Sequence, residues 1–141
     1  MSYDQFRDFF DRAIPFNVFL GMRLAEMRDC YARLELPFRP EFIGDARRPA
    51  LHGGVISSLI DTAGGAATFT KISADDYCST IDLRVDYLLP GSPELICAEA
   101  TVLRIGNRVS AVDIRAFHPS APDRTVATGK GVYSVYRRGE R

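Results

Sequence analysis

Tryptophan is absent from the 141 residues, histidine occurs only at positions 52 and 118, and cysteine only at 30, 78 and 97. Three scattered cysteines without a Cys-x-x-Cys pair match neither a disulfide framework nor the ligand spacing of a zinc site. They are expected as reduced, buried thiols, and no metal is expected. An excess of one charge is missing as well: 18 Lys and Arg balance 18 Asp and Glu. A net charge of zero removes the global attraction that a nucleic-acid partner would need. Long apolar runs are lacking too. No stretch approaches the roughly 18 uninterrupted apolar residues of a membrane helix. The opening MSYDQFRDFFDRAIPF mixes acidic, basic and aromatic residues where a signal peptide would carry an apolar core and a small-residue cleavage site. The expected setting is the cytoplasm, away from membranes.

What is present is the length of one domain, expected over residues 1–141, with 46% hydrophobic and 26% charged residues. No repeat or low-complexity tract divides it. Phe6, Phe9 and Phe10 recur at helical spacing, which predicts a short amphipathic helix over 4–13 that Pro15 ends. Residues 19–27 and 30–37 read as short strands, and 38–51, with Pro40, Gly44 and Pro49, as a loop. From Gly53 to about Lys71 the apolar positions Val55, Ile56, Leu59, Ile60, Ala63, Ala66 and Ala67 are spaced for a helix that other structure surrounds. Strands are predicted over 80–88, where Ile81, Leu83, Val85 and Tyr87 alternate with Asp82, Arg84 and Asp86, and over 94–105, 108–118 and 124–137, with a hairpin turn at Gly106-Asn107. One apolar helix among so many strands implies an α+β fold, a sheet curled around that helix, with open edges that dimerisation could pair.

The chemistry is concentrated in Leu51-His52-Gly53-Gly54-Val55-Ile56-Ser57-Ser58-Leu59-Ile60-Asp61-Thr62-Ala63-Gly64-Gly65. His52-Gly53-Gly54 stands where loop becomes helix. Unpaired N–H groups and the positive end of the helix dipole make that point a site for an oxyanion or a polarised carbonyl. A histidine that merely caps the helix is the plainer reading. Asp61 lies two turns further on and shares a face with Ser57, Ser58, Gly64 and Gly65. A carboxylate there is either solvated or held in a cleft, where it suits base or nucleophile work. Gly64-Gly65 each cost about 1 kcal/mol relative to alanine in mid-helix. They imply close approach by a substrate or another backbone, or packing against the sheet. The phenylalanines at 6, 9, 10, 16 and 19 are expected in the core, with an acyl-pocket lining as the alternative. His118 reads as structural or exposed.

The run HGGVISSLIDTAGGAA resembles the HGG(x)6(D/E) motif of hotdog-fold thioesterases of the phenylacetic-acid-degradation type, relatives of the 4-hydroxybenzoyl-CoA thioesterases. Thr80–Leu88, Ala98–Arg108 and Ala127–Tyr133 are similar to the strands that follow the helix in that family, so the resemblance spans roughly residues 17–136. It implies a hotdog fold, a curved antiparallel sheet wrapped around one central helix, and hydrolysis of an acyl- or aryl-CoA to free acid and coenzyme A. It implies that the Gly54 amide polarises the thioester carbonyl, that His52 orients it, and that Asp61 from the other subunit is nucleophile or general base. Gly53, Ser57, Ser58 and Gly65 would border the substrate. Arg104 and Arg108, with Arg47 and Arg48, are candidates for the coenzyme A phosphates. No cofactor is implied beyond coenzyme A as part of the substrate, and the expected assembly is a homodimer or a homotetrameric dimer of dimers with sites at the subunit interface. The chain departs from the family in two places. The loop 44–50 holds no Asn or Gln before His52, and Gly65 stands where relatives often carry Ser or Thr. A non-catalytic acyl-CoA-binding module and a hotdog hydratase or dehydratase are the alternatives.

Overall fold

In the computed structural model, which describes residues 1–139, helix α1 (Tyr3–Asp8) runs through a π-helical turn (Phe9–Ala13) to helix α2 (Pro15–Leu20) and strands β1 (Arg23–Arg28) and β2 (Tyr31–Leu36). A 3-10 turn (Pro40–Phe42) and the short strands β3 (Ile43–Asp45) and β4 (Ala50–Leu51) lead into helix α3 (Gly53–Phe69). Strands β5 (Tyr77–Tyr87), β6 (Ile96–Ile105), β7 (Val109–Phe117) and β8 (Thr125–Tyr136) follow. Six strands form one antiparallel sheet in the order β1-β2-β6-β7-β8-β5, and β3 pairs with β4 alongside it. This is the α+β architecture expected from the sequence.

The sheet closes around α3 because both present complementary apolar faces. Ile56, Leu59, Ile60, Ala63, Ala66 and Ala67 are buried on the helix. They meet the period-two inner residues Ala32, Leu34 and Leu36 of β2, Ile96, Ala98 and Ala100 of β6, and Val112, Ile114 and Ala116 of β7. Burial of each large aliphatic side chain contributes about 1.5–3 kcal/mol. The alanines let the helix lie close to the strands. Thr70 ends α3: its hydroxyl donates to the Ala67 carbonyl at 2.6 Å and accepts from the Cys30 amide at 3.0 Å.

Three local expectations need correction. Pro15 does end the first helical segment, but it also opens α2, because a first-turn proline loses no helical hydrogen bond. The strand expected from residue 19 therefore starts at Arg23. Phe6 and Phe10 are core residues, whereas Phe16 and Phe19 are exposed on α2 and stacked on each other. At the β6–β7 hairpin the Gly106 amide donates to the Val109 carbonyl, so the tip is Asn107-Arg108, one residue beyond the turn expected.

The largest departure lies in β5. Its pairing with β8 aligns Thr80 with Tyr133 and Asp82 with Val132, which leaves Ile81 as a bulge. Simple alternation would put Ile81 on the same face as Leu83 and Val85. The bulge instead leaves Ile81 59% exposed and places Thr80 on the inner face, opposite buried Tyr133. Strand β5 is also an edge of the sheet, bonded only to β8, with Tyr77, Ile81 and Tyr87 exposed along it.

Candidate active site

Short-range backbone contacts fix the start of α3. The His52 amide donates to the Phe42 carbonyl at 2.8 Å, and the Leu51 amide to the Gly91 carbonyl at 2.9 Å. Gly44 lies against the His52 backbone, where an added Cβ would come within 3.0 Å of its Cα. His52 is thus held by main-chain contact with Phe42 and close approach of Gly44. Arg47 in that loop is paired with Asp45 at 3.0 Å, which also holds the Asp45 carboxyl below its usual range.

His52 is the N-cap of α3, and its Nδ1 accepts the Gly54 amide at 2.8 Å. In the neutral ring the remaining proton then sits on Nε2. This gives the capping reading of His52 a concrete geometry, and it engages the Gly54 amide, to which the resemblance assigned the thioester carbonyl. Gly54 has to be glycine for the same reason, since a Cβ would lie 2.9 Å from Nδ1. The Val55 and Ile56 amides donate to the His52 carbonyl. Among the described residues, the Gly53 amide alone of the first four helical amides has no partner. Tyr87 covers this turn, donating its hydroxyl to the Gly53 carbonyl at 2.8 Å.

Asp61 is half-buried in the middle of the helix. Its Oδ1 accepts the Thr80 hydroxyl at 2.7 Å and stands 3.4 Å from the Tyr133 hydroxyl, which is also 2.9 Å from the Asp61 carbonyl oxygen. Among the described residues both hydroxyls serve Oδ1 and none serves Oδ2. Asp61 is therefore a held carboxylate and not a freely solvated one. Burial first, then the Asp61 charge, pushes the Cys78 thiol on β5 up to about 11. The Tyr133 phenol is raised too, by burial first, then by the Asp61 charge and by Cys78.

The rest of the expected set divides. Ser57 and Ser58 both donate to the Gly54 carbonyl, at 3.1 and 2.7 Å, so their hydroxyls are structural donors on the shared face. Gly64 and Gly65 differ: a Cβ on Gly64 would overlap the Tyr133 hydroxyl, whereas one on Gly65 would meet only the ring edge at 3.9 Å. Packing against the sheet accounts for Gly64, and open space lies beside Gly65. Arg104 and Arg108 line a cleft at the β6–β7 hairpin with Asn107 and Val109, apart from His52 and Asp61. Arg48 instead lines a cleft with Gly53, Ile56, Tyr87 and Leu88. His118 is buried: its Nε2 accepts the Ser92 amide at 3.0 Å while Nδ1 faces the Leu95 carbonyl at 2.9 Å, a structural role. Thr80, Tyr87 and Tyr133 were not identified from sequence. Their signal lay in the strands, where the bulge hid the side on which Thr80 falls.

The comparisons agree with this geometry. The profile of the Thioesterase superfamily matches residues 49–122, from the loop before His52 to the β7–β8 turn. The medium/long-chain acyl-CoA thioesterase YigI of Escherichia coli K12 is 39% identical over 114 residues, spanning 72% of this chain and 74% of the relative. A solved Shewanella oneidensis protein related to the thioesterase superfamily superposes with a TM-score of 0.80 at 28% identity, covering 93% of each chain. A thioesterase family protein from Silicibacter pomeroyi shares the fold, with a TM-score of 0.86 at 21% identity over 96% of this chain and 99% of the other. On a capped His-Gly-Gly helix start, a held Asp61 and these likenesses together, the chain belongs to the thioesterase superfamily.

Proposed function

We propose that the protein is an acyl-CoA thioesterase of the phenylacetic-acid-degradation type, releasing coenzyme A and a free acid with water as the second substrate. The observation that carries this reading is the Asp61 carboxylate, fixed at Oδ1 and, among the described residues, without a partner at Oδ2, on a helix whose first amide they likewise leave unpaired. The Gly53 amide, at the positive end of the α3 dipole, is the donor for the thioester carbonyl, a role the resemblance gave to Gly54. His52, held by the Gly54 amide, presents Nε2–H beside it. Asp61 then either deprotonates a water that attacks the carbonyl or attacks it directly. In both cases the tetrahedral intermediate expels the coenzyme A thiolate, which takes up a proton; after direct attack, water then hydrolyses the acyl–Asp61 anhydride, which releases the acid and restores the carboxylate.

Helix geometry supports a site shared between subunits. Gly53 and Asp61 are eight residues apart on one helix, about 12 Å of rise. One reacting carbon has to lie about 3 Å from both the oxyanion donor and the base. A single α3 cannot satisfy both, but two copies running in opposite directions can, each supplying one half. The exposed β5 edge suits a homodimer formed by strand pairing, and a dimer of dimers can build on it. Arg104, Arg108 and Arg48 are the proposed partners of the coenzyme A phosphates, the first two at the hairpin and Arg48 in the cleft beside Gly53. The described residues contain no helix long and apolar enough to cross a membrane, and we place the protein in the cytoplasm. No metal or redox cofactor enters this chemistry.

The test is thiol release from a panel of acyl-CoAs by wild type and Asp61→Ala. Medium- and long-chain substrates head the panel because YigI is named for them; short-chain and aromatic ones complete it. We expect turnover of at least one substrate and a loss of about 100-fold or more in Asp61→Ala. Folded wild type that releases thiol from none of them, yet binds them, would make the protein an acyl-CoA-binding module.

A further inference from the structure

We propose that Tyr133 is a positioning residue for the Asp61 carboxylate, a role that rests on the hydrolase reading above. Tyr133 sits on the inner face of β8 and is 1% exposed. Its hydroxyl lies 2.9 Å from the Asp61 main-chain oxygen and 3.4 Å from Oδ1, so one phenolic proton spans the backbone and the side chain of the same residue. Thr80, directly opposite Tyr133 across the β5–β8 pair, donates to that same Oδ1 at 2.7 Å. Together the two hydroxyls hold one carboxylate oxygen, and among the described residues no side chain holds the other.

The surroundings are shaped for this tyrosine. A Cβ on Gly64 would overlap the hydroxyl, and one on Gly131, two residues before Tyr133 on β8, would come within 2.5 Å of the ring. A glycine in the middle of a helix is a poor choice for stability. A phenylalanine would fill the aromatic part of the cleft with no polar atom to satisfy, whereas a buried hydroxyl is costly unless it is paired. Among the described residues, the hydroxyl finds its partner only at Asp61. Burial and the neighbouring carboxylate keep the phenol protonated, so it can act only as a donor toward Oδ1 and never as the base itself. Tyr133 thus ties the carboxylate to the helix turn that carries it, and a general base misplaced by a fraction of an ångström is a poor one.

The experiment is steady-state kinetics on the best acyl-CoA substrate with Tyr133→Phe and Tyr133→Leu, together with their thermal midpoints. Tyr133→Phe keeps the ring, and its kcat is expected to fall roughly 10- to 100-fold with KM within about threefold. Tyr133→Leu leaves part of the ring cleft empty and lowers the midpoint further. A positioning role requires both variants to lose a similar factor in kcat despite different stabilities. In an Asp61→Asn background, Tyr133→Phe should change the residual rate by less than about threefold, because the group it positions is gone. The inference is overturned if Tyr133→Phe keeps kcat within about threefold of wild type, if the loss falls on KM, if kcat follows the thermal midpoint across the two variants, or if the loss persists in the Asp61→Asn background. Should wild type release no thiol, the hydrolase reading fails first; should Asp61→Asn turn over like wild type, the catalytic role of Asp61 fails. An inactive Asp61→Asn beside a normal Tyr133→Phe sinks the positioning role alone.

Discussion

Adjacent glycines in α3 carry opposite expectations. Replacing Gly64 by alanine drives a methyl group into the Tyr133 hydroxyl, and overpacking of that kind costs about 1–3 kcal/mol. Replacing Gly65 meets only the ring edge at 3.9 Å, and the gain in helix propensity is up to about 1 kcal/mol. Urea denaturation should therefore show Gly64→Ala destabilised and Gly65→Ala as stable as wild type or more so. Equal losses in both would mean that a contact outside this chain fills the space beside Gly65. This distinction was not legible in the sequence, which shows two equivalent glycines. The sequence did mark Asp61, because a carboxylate among apolar helix positions stands out. It could not show that His52 would take the Gly54 amide and leave Gly53's free, since that depends on the rotamer of a capping ring.

Strand β5 shows what hydrophobic alternation reads well and what it misses. The strand itself was legible, but a bulge changes phase without changing composition, so Ile81 looked inward and Thr80 outward. Deleting Ile81 removes the extra residue and leaves Thr80 opposite Tyr133 and Asp82 opposite Val132 in a regular ladder, so Thr80 stays on the inner face. Replacing Thr80 by valine, in contrast, keeps the side-chain shape and removes the 2.7 Å bond to Asp61. The expected result for Thr80→Val is a loss in kcat of about 10-fold or more with β-sheet content retained by circular dichroism; a Thr80→Val variant with full activity would show that Thr80 does not serve Asp61. Helix α2 was missed for a related reason, since a proline that stops one helix also starts the next. The central helix was read almost to its ends because its buried alanines and isoleucines admit no other period.

At the scale of the whole molecule, the 12 Å separation argued above predicts complementation. His52→Ala and Asp61→Ala, each inactive alone, should regain activity when unfolded together and refolded as mixed dimers. A heterodimer then carries one site with both wild-type groups, and activity approaches half the wild-type value per mixed dimer. If mixing restores nothing, both halves of the site belong to one chain. A second global property follows from the thiols. Cys78 and Cys97 are raised from 9.0 to about 11, in both cases by burial first. Between about pH 9 and 11 the unfolded chain has released these protons and the folded chain still holds them. Their stabilising contribution, complete below pH 9, is therefore lost as pH rises through that window. A denaturation series should show the midpoint falling across it, more steeply in wild type than in a Cys78→Ser/Cys97→Ser double variant.

The fit of Tyr133 between Gly64 and Gly131 also constrains the order of change in descent. A lineage acquiring the tyrosine must already hold both glycines, because either methyl group would block the ring. A lineage losing it must give up the tyrosine first, and only then can alanine or a larger residue settle at 64 or 131. Among homologues the three positions should therefore vary as a unit, and intermediates with glycines but no tyrosine should be common, while those with the tyrosine and a side chain at position 64 should be missing.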